Sequence, residues 1–349
     1  MMKFNRILLV FIALGTWALQ VEAGNPDRRG EAGAYELLMN PWARSSGLHT
    51  LSTSFATGVE AMRINVAGVG RINKTEIVVS NSQYFVGSGL SMNAAGLAQR
   101  VGENGALGLS LMALDFGDID VTTVNNPEGT GATFSPSFFN LGVSYTHTFE
   151  NKISVGVLFR GVSESIADVS AFALALDAGV QYVTGARDEF KFGISLRNIG
   201  SKMKFAGEGL ADIAENDEDQ QYRFDVQASG FELPSLLNIG LSYDFFADGI
   251  SSRLTAFGNF RANSFLRDEI GGGLEYAYNE MFMLRVAYVY DIGTSSDGED
   301  NGIYTGLAAG ISFDVPLKKD SPNKLGIDYS YRDTEPYSGT HNFGLRISL

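Results

Sequence analysis

The sequence predicts an all-β fold: a 14-stranded antiparallel transmembrane β-barrel with a small N-terminal helical plug. Three observations carry this reading. From about residue 75 to the end, apolar residues alternate with small or polar ones at period two, in segments of roughly ten residues separated by turn chemistry. After the first apolar run no stretch of about 18 apolar residues recurs, which excludes a bundle of membrane helices. The charges of the alternating segments share a face with Gly and Ser. A soluble sandwich would put charge on its outward faces, so here the apolar face meets lipid and the polar face a lumen.

Composition narrows the function classes. The 349 residues contain no Cys, 41 Gly and 11% aromatic side chains, with only 19% charged. That aromatic content excludes disorder, and the missing cysteines exclude disulfides, a zinc-finger framework and a lipid-anchored N-terminus. A formal charge of -14, from 26 basic against 40 acidic side chains, would repel a polyanion, so no nucleic-acid partner is expected.

Residues 1–23 read as a signal peptide. Lys3 and Arg6 precede the apolar run from Ile7 to Leu19, and Val21-Glu22-Ala23 has small residues where cleavage requires them. The run is too short to span a bilayer as a helix. Residues 24–74 form the second unit, a plug or periplasmic-mouth segment. It holds Asn40-Pro41-Trp42-Ala43-Arg44 and, in the stretch Gly58 to Val69, the helically spaced Val59, Met62 and Val66. Short helices packed into the periplasmic mouth are expected, because so wide a barrel encloses more volume than inward Gly and Ser can fill.

Residues 75–349 form the barrel. Leu141, Val143 and Tyr145 alternate with Gly142, Ser144 and Thr146, and Ile153, Val155, Val157 and Phe159 with Ser154, Gly156, Leu158 and Arg160. The pattern returns at Ile239, Leu241, Tyr243 and Phe245, then at Phe282, Leu284, Val286, Tyr288 and Tyr290, and closes with Phe343, Leu345, Ile347 and Leu349. Six short turns near 101–104, 150–152, 184–188, 246–251, 279–280 and 316–322 alternate with seven outer connections near 86–88, 117–136, 163–170, 199–234, 263–267, 292–303 and 333–339. Fourteen strands follow, an even number that leaves both ends in the periplasm and places the protein in a bacterial outer membrane.

Candidate chemistry was sought along the strands and loops. Gly-apolar-Ser recurs at Gly89, Gly108, Gly142, Gly193, Gly240 and Gly310, but none has the second Gly of a nucleophile elbow, and small residues facing a crowded lumen explain it. The three histidines, His49, His147 and His341, form no His-Glu-x-x-His or other catalytic pattern, so no enzyme, cofactor or metal site is expected. Acidic clusters at Glu208, Asp212, Glu215, Asp217, Glu218 and Asp219, and at Asp291, Asp297, Glu299 and Asp300, match no EF-hand spacing and read as solvated loops, the alternative being oxygen-rich loops that hold calcium or bridge to lipopolysaccharide through divalent ions. Inside the barrel, Arg160, Arg197, Arg285, Arg332 and Arg346 share the inward register with Asp244, Glu275, Asp314 and Asp328. They are expected to pair with one another and with the plug.

One stretch resembles a known family. Ala43-Arg44-Ser45 followed by Gly47, then Gly58-Val59-Glu60-Ala61 and Asn65-Val66-Ala67-Gly68-Val69, resembles the N-terminal signature of the PorV/PorQ family of FadL-like barrels. Leu233-Pro234, Leu237, Gly240 and Tyr243 are similar to that family's Leu-Pro strand entry. Ala43, Arg44, Ser45, Asn65, Ala67 and Gly68 are the residues of the plug motif. Val66 departs from the family's Pro, and the chain closes on Leu349 where many outer-membrane proteins have an aromatic residue. The resemblance implies a Bacteroidota-type outer-membrane protein acting in type IX secretion or surface-protein assembly. Its partners would be a translocon or its substrates, together with outer-membrane lipid and lipopolysaccharide. FadL-like relatives also imply an alternative, passage of small hydrophobic molecules across the outer membrane.

Overall fold

Fourteen strands close into one antiparallel barrel. The computed structural model describes residue 28 and residues 30–215, 221–246, 251–293, 302–318 and 321–349, so the signal peptide expected at 1–23 lies outside the described residues. The wall begins with β1 (Thr75–Gln83), β2 (Ser91–Val101) and β3 (Gly105–Asp115), after which β4 (Ile119–Asp120) and β5 (Thr133–Phe134) form a small hairpin within a loop. It continues through β6 (Ser137–Thr148), β7 (Ile153–Ile166), β8 (Val169–Thr184) and β9 (Phe190–Gly200). A second loop hairpin pairs β10 (Ala211–Glu215) with β11 (Gln221–Asp225). Then come β12 (Leu236–Phe246), β13 (Ser252–Asn263), β14 (Glu269–Tyr278), β15 (Phe282–Asp291), β16 (Tyr304–Pro316), β17 (Lys324–Thr334) and β18 (Thr340–Ser348), which pairs back onto β1.

Closure follows from the solvent. A lipid core offers backbone groups no hydrogen bonds, so a strand can cross it only if both edges are paired. The register sets the faces: Val143 lies opposite Phe159, exposed by 49% and 66%, while Gly142 lies opposite the buried Arg160 on the inner face. Tyr145, Tyr182, Phe190, Tyr243, Phe245, Tyr276, Tyr278 and Phe313 ring the outside near the short-turn end. Phe139, Phe172, Tyr288, Tyr290 and Phe343 lie outward toward the other end. Two aromatic girdles flanking an apolar band mark an outer-membrane barrel. Thr75 and Leu349 exchange backbone hydrogen bonds at the short-turn end, which places both ends of the wall on the periplasmic side. One outer connection is tighter than expected. β7 and β8 run on to Ile166 and from Val169, and the bend at 163–170 shrinks to Ala167–Asp168, with Ala167 at φ 47°.

The N-terminal segment threads the lumen. Ala32 bridges to Glu232, and the Arg28 guanidinium lies 4.3 Å from the Phe265 ring centre, both contacts with the outer loops. A 3-10 turn (Tyr35–Leu38), α1 (Ala43–Ser46), α2 (Gly58–Ile64) and a second 3-10 turn (Val66–Gly70) then lead down to β1. The segment spans the lumen from the outer loops to the base, its helices are only 4 and 7 residues long, and Asn65, at φ -150°, ends α2 before Val66. The wall makes room for it with glycine. A Cβ at Gly193 would sit 2.3 Å from the Thr53 carbonyl oxygen, one at Gly156 2.7 Å from Val66, and one at Gly179 2.0 Å from the Asn65 side chain. Gly310 faces Gly47, and Gly344 faces Ala43.

Candidate functional site in the barrel lumen

The inner wall has two sectors of different emphasis, one rich in ion pairs and one rich in apolar side chains. From β12 to β18 it is charged and paired. Glu275 and Arg285 lie directly across from each other on β14 and β15, and Arg285 Nε donates to Glu275 Oε2 at 2.6 Å while its Nη1 donates to Ser312 at 2.6 Å. Arg346 Nη2 reaches Asp314 Oδ1 at 2.6 Å, and its Nε lies 3.6 Å from Asp328. Asp314 and Arg346 sit on opposite sides of β17, each paired with Gly326. Any side chain there would block the ion pair, since a Cβ at Gly326 would stand 2.7 Å from the guanidinium and 2.8 Å from the carboxylate. Asp244 accepts from Thr255 at 2.6 Å and from Lys191. Among the described residues Arg332 takes no carboxylate, and it lies 3.7 Å from the centre of the Tyr304 ring.

The residues of the N-terminal motif face these walls. Ala43 and Ala67 are buried, and Arg44 sits among Glu60, Asp328, Glu275 and Asp314. The Ser45 amide donates to Glu60 Oε2 at 2.8 Å, and its hydroxyl accepts from Asn40 at 2.9 Å. Asn65 staples the segment to the wall: Nδ2 donates to the carbonyls of Thr53 at 2.9 Å and Val180 at 3.0 Å, and Oδ1 accepts from Ala67 N at 3.2 Å. Gly68 lies so close to Ala56 that a Cβ would overlap its carbonyl oxygen. At the outer end Arg28 bonds Glu232, which holds that carboxyl below its usual 4.5 and ties the segment to a loop.

The other sector is apolar, where the sequence reading expected a polar lumen. Met92 and Ala94 of β2, Met112 and Leu114 of β3, Phe138 of β6, Leu158 and Val162 of β7, and Ala171, Ala173 and Ala175 of β8 all point inward and are buried. They form one core cluster with Leu37, Trp42, Val59, Met62 and Ile64 of the inner segment. A signal for it existed. Leu111 to Leu114 and Ala171 to Leu176 are apolar on both faces, as strands are when neither face meets water.

Two residues that the sequence reading did not single out complete the site. Asp177 takes Arg160 Nη2 at 2.6 Å, and Arg63 of α2 lies among Arg160, Arg197 and Asp177. Arg197 reaches the Leu37 carbonyl at 3.5 Å. His49 is buried edge-on to Tyr304, whereas His147 packs on Phe149 and His341 bonds Tyr329 on the outer face. Among the described residues no group of three or more His, Asp or Glu is placed to hold a metal ion. Asp217, Glu218, Asp219, Asp297, Glu299 and Asp300 lie outside the described residues.

No family model matches the chain, and no curated protein matches it. Solved structures do. A TodX monoaromatic hydrocarbon channel mutant superposes with a TM-score of 0.52 at 13% identity, covering 87% of this chain and 96% of that one. The P. putida toluene transporter TodX gives 0.50 at 12% identity, with 87% and 95% covered. At those identities the likeness is one of fold. The chain is therefore a closed 14-stranded outer-membrane β-barrel with the architecture of these channels.

Proposed function

We propose that the protein passes small hydrophobic molecules across the outer membrane, along the apolar sector of its lumen. The observation that carries this is the inward row of Met92, Met112, Leu114, Phe138, Leu158 and Val162. A water-filled pore lines itself with polar or charged groups, whereas here a row of large apolar side chains lies inward beside the buried Arg160–Asp177 pair. The inner segment occupies this sector, so passage requires Trp42, Val59 and Met62 to shift. Met side chains suit such a route because they repack around ligands of varied shape. The hydrocarbon channels that share the fold support the same reading.

The test is uptake of a monoaromatic hydrocarbon such as toluene by intact cells with and without the gene. Deletion should slow uptake. The wild-type gene should restore it, and Met112→Asp, present in the membrane at wild-type level, should not. A second reading, partnership in secretion or surface-protein assembly, is favoured by the N-terminal motif and by the exposed Tyr222, Phe224 and Val226 at the outer hairpin. Normal uptake together with surface proteins stranded in the periplasm would establish that reading over transport.

A further inference from the structure

Three buried arginines meet in the lumen around one carboxylate. Arg63 comes from the inner segment, Arg160 from β7 and Arg197 from β9, with exposures of 1%, 2% and 5%. Asp177 of β8 is the carboxylate, its Oδ2 accepting from Arg160 at 2.6 Å and its Oδ1 from the Asn198 amide at 2.7 Å. The wall is built specially here. The β8–β9 register slips between Leu176 and Ala178, and Asn198 has φ 58°. The resulting bulge turns two consecutive side chains, Arg197 and Asn198, into the interior.

The remaining guanidinium bonds go to neutral carbonyls of the inner segment. Arg63 Nη2 donates to Glu36 at 3.0 Å and to Met39, Arg160 Nη2 to Met62 at 3.4 Å, and Arg197 Nη2 to Leu37 at 3.5 Å. Nε and Nη1 of Arg63, the same two nitrogens of Arg160, and Nε of Arg197 are buried without an acceptor among the described residues. So is the Asn140 carboxamide, two residues along β6 from the cross-strand partner of Arg160. Glu36 and Glu164, toward the outer end, make no ion pair with these arginines. Across the barrel the picture is different, for Arg253, Arg285 and Arg346 each meet carboxylates. Buried positive charge in excess, with idle N–H donors, is costly unless an acceptor of negative charge joins it.

We propose that Arg63, Arg160 and Arg197 form an anion-binding site that holds one small monovalent anion, a halide or a short carboxylate, between the inner segment and the wall. The anion accepts the idle guanidinium hydrogens and ties α2 to β7 and β9. The proposal does not rest on the transport reading, although Arg63 lies on the same helix as Val59 and Met62.

The test refolds the protein from urea into detergent micelles in sodium bromide, sodium acetate or bulky sodium gluconate at equal ionic strength. The denaturation midpoint should rise with the logarithm of bromide or acetate concentration and not with gluconate. Bromide alone identifies a halide site, with an anomalous peak among the three arginines in crystals, and acetate alone a carboxylate site. Arg197→Glu supplies the missing negative charge and should abolish the dependence. Arg63→Gln, which removes a donor from the inner segment alone, should weaken it. Equal midpoints in all three salts without a bromide peak, or a dependence that both variants leave unchanged, would overturn the proposal.

Discussion

Glu76 belongs to the wall yet caps a helix of the inner segment. Thr57 offers α2 no side-chain cap, and the Val59 amide donates instead to Glu76 Oε1 at 2.8 Å. The approach is allowed because Gly58, at φ 67°, has no Cβ, which would lie 1.9 Å from that oxygen. An acceptor at this position is worth about 1–2 kcal/mol, so Glu76→Ala should lower the unfolding free energy by that amount in urea titrations in micelles. An unchanged midpoint would mean that the first turn of α2 needs no acceptor from β1. On the opposite face Val157 meets lipid. Val157→Arg should disfavour folding into bilayers by about 2–4 kcal/mol if it lies near the midplane. Val124→Arg, in an outer loop where Val124 is fully exposed, should change nothing.

At the scale of elements, the strands and the inner segment were cut to fit one another. The recurring Gly-apolar-Ser read only as small residues facing a crowded lumen. In the fold Gly193 and Gly240 both face Thr53, Gly310 faces Gly47, and Gly108 and Gly142 lie against Met62. Gly193→Val would drive a side chain into the Thr53 backbone, which cannot rotate away. A loss of about 1–3 kcal/mol is expected, with faster proteolysis of residues 45–60 in the folded barrel. Proteolysis unchanged from wild type would show that the segment adapts. The strands themselves were legible because a period of two leaves no freedom once one face meets lipid. The bulge at Arg197-Asn198 was not. A bulge adds one residue without changing composition or alternation elsewhere, and the hydrogen bond from the Asn198 amide to Asp177 depends on it.

For the whole molecule, parity carried most of the information. Both ends of the wall lie at the short-turn end, so an even number of strands had to close, and six short turns alternating with longer connections fixed fourteen. The path of residues 28–74 was hidden for a different reason. Its partners are remote in sequence, Glu232 for Arg28, Val180 for Asn65 and Leu37 for Arg197, and no local pattern encodes such pairings. The division of the lumen was half visible, in strands apolar on both faces: β2, β3, β6, β7 and β8 pair in succession and so lie side by side, but only closure wraps them around the inner segment. The same parity fixes the topology in the membrane. A cysteine placed at Asn126, in the exposed loop between β4 and β5, should react with an impermeant maleimide on intact cells, while one at Asn151 or Asn279, in short turns, should react only after lysis. The chain's native lack of cysteine makes each label unambiguous. Labelling at Asn151 but not at Asn126 on intact cells would invert the barrel. The outer loops, with Arg28 and Glu232 among them, would then face the periplasm.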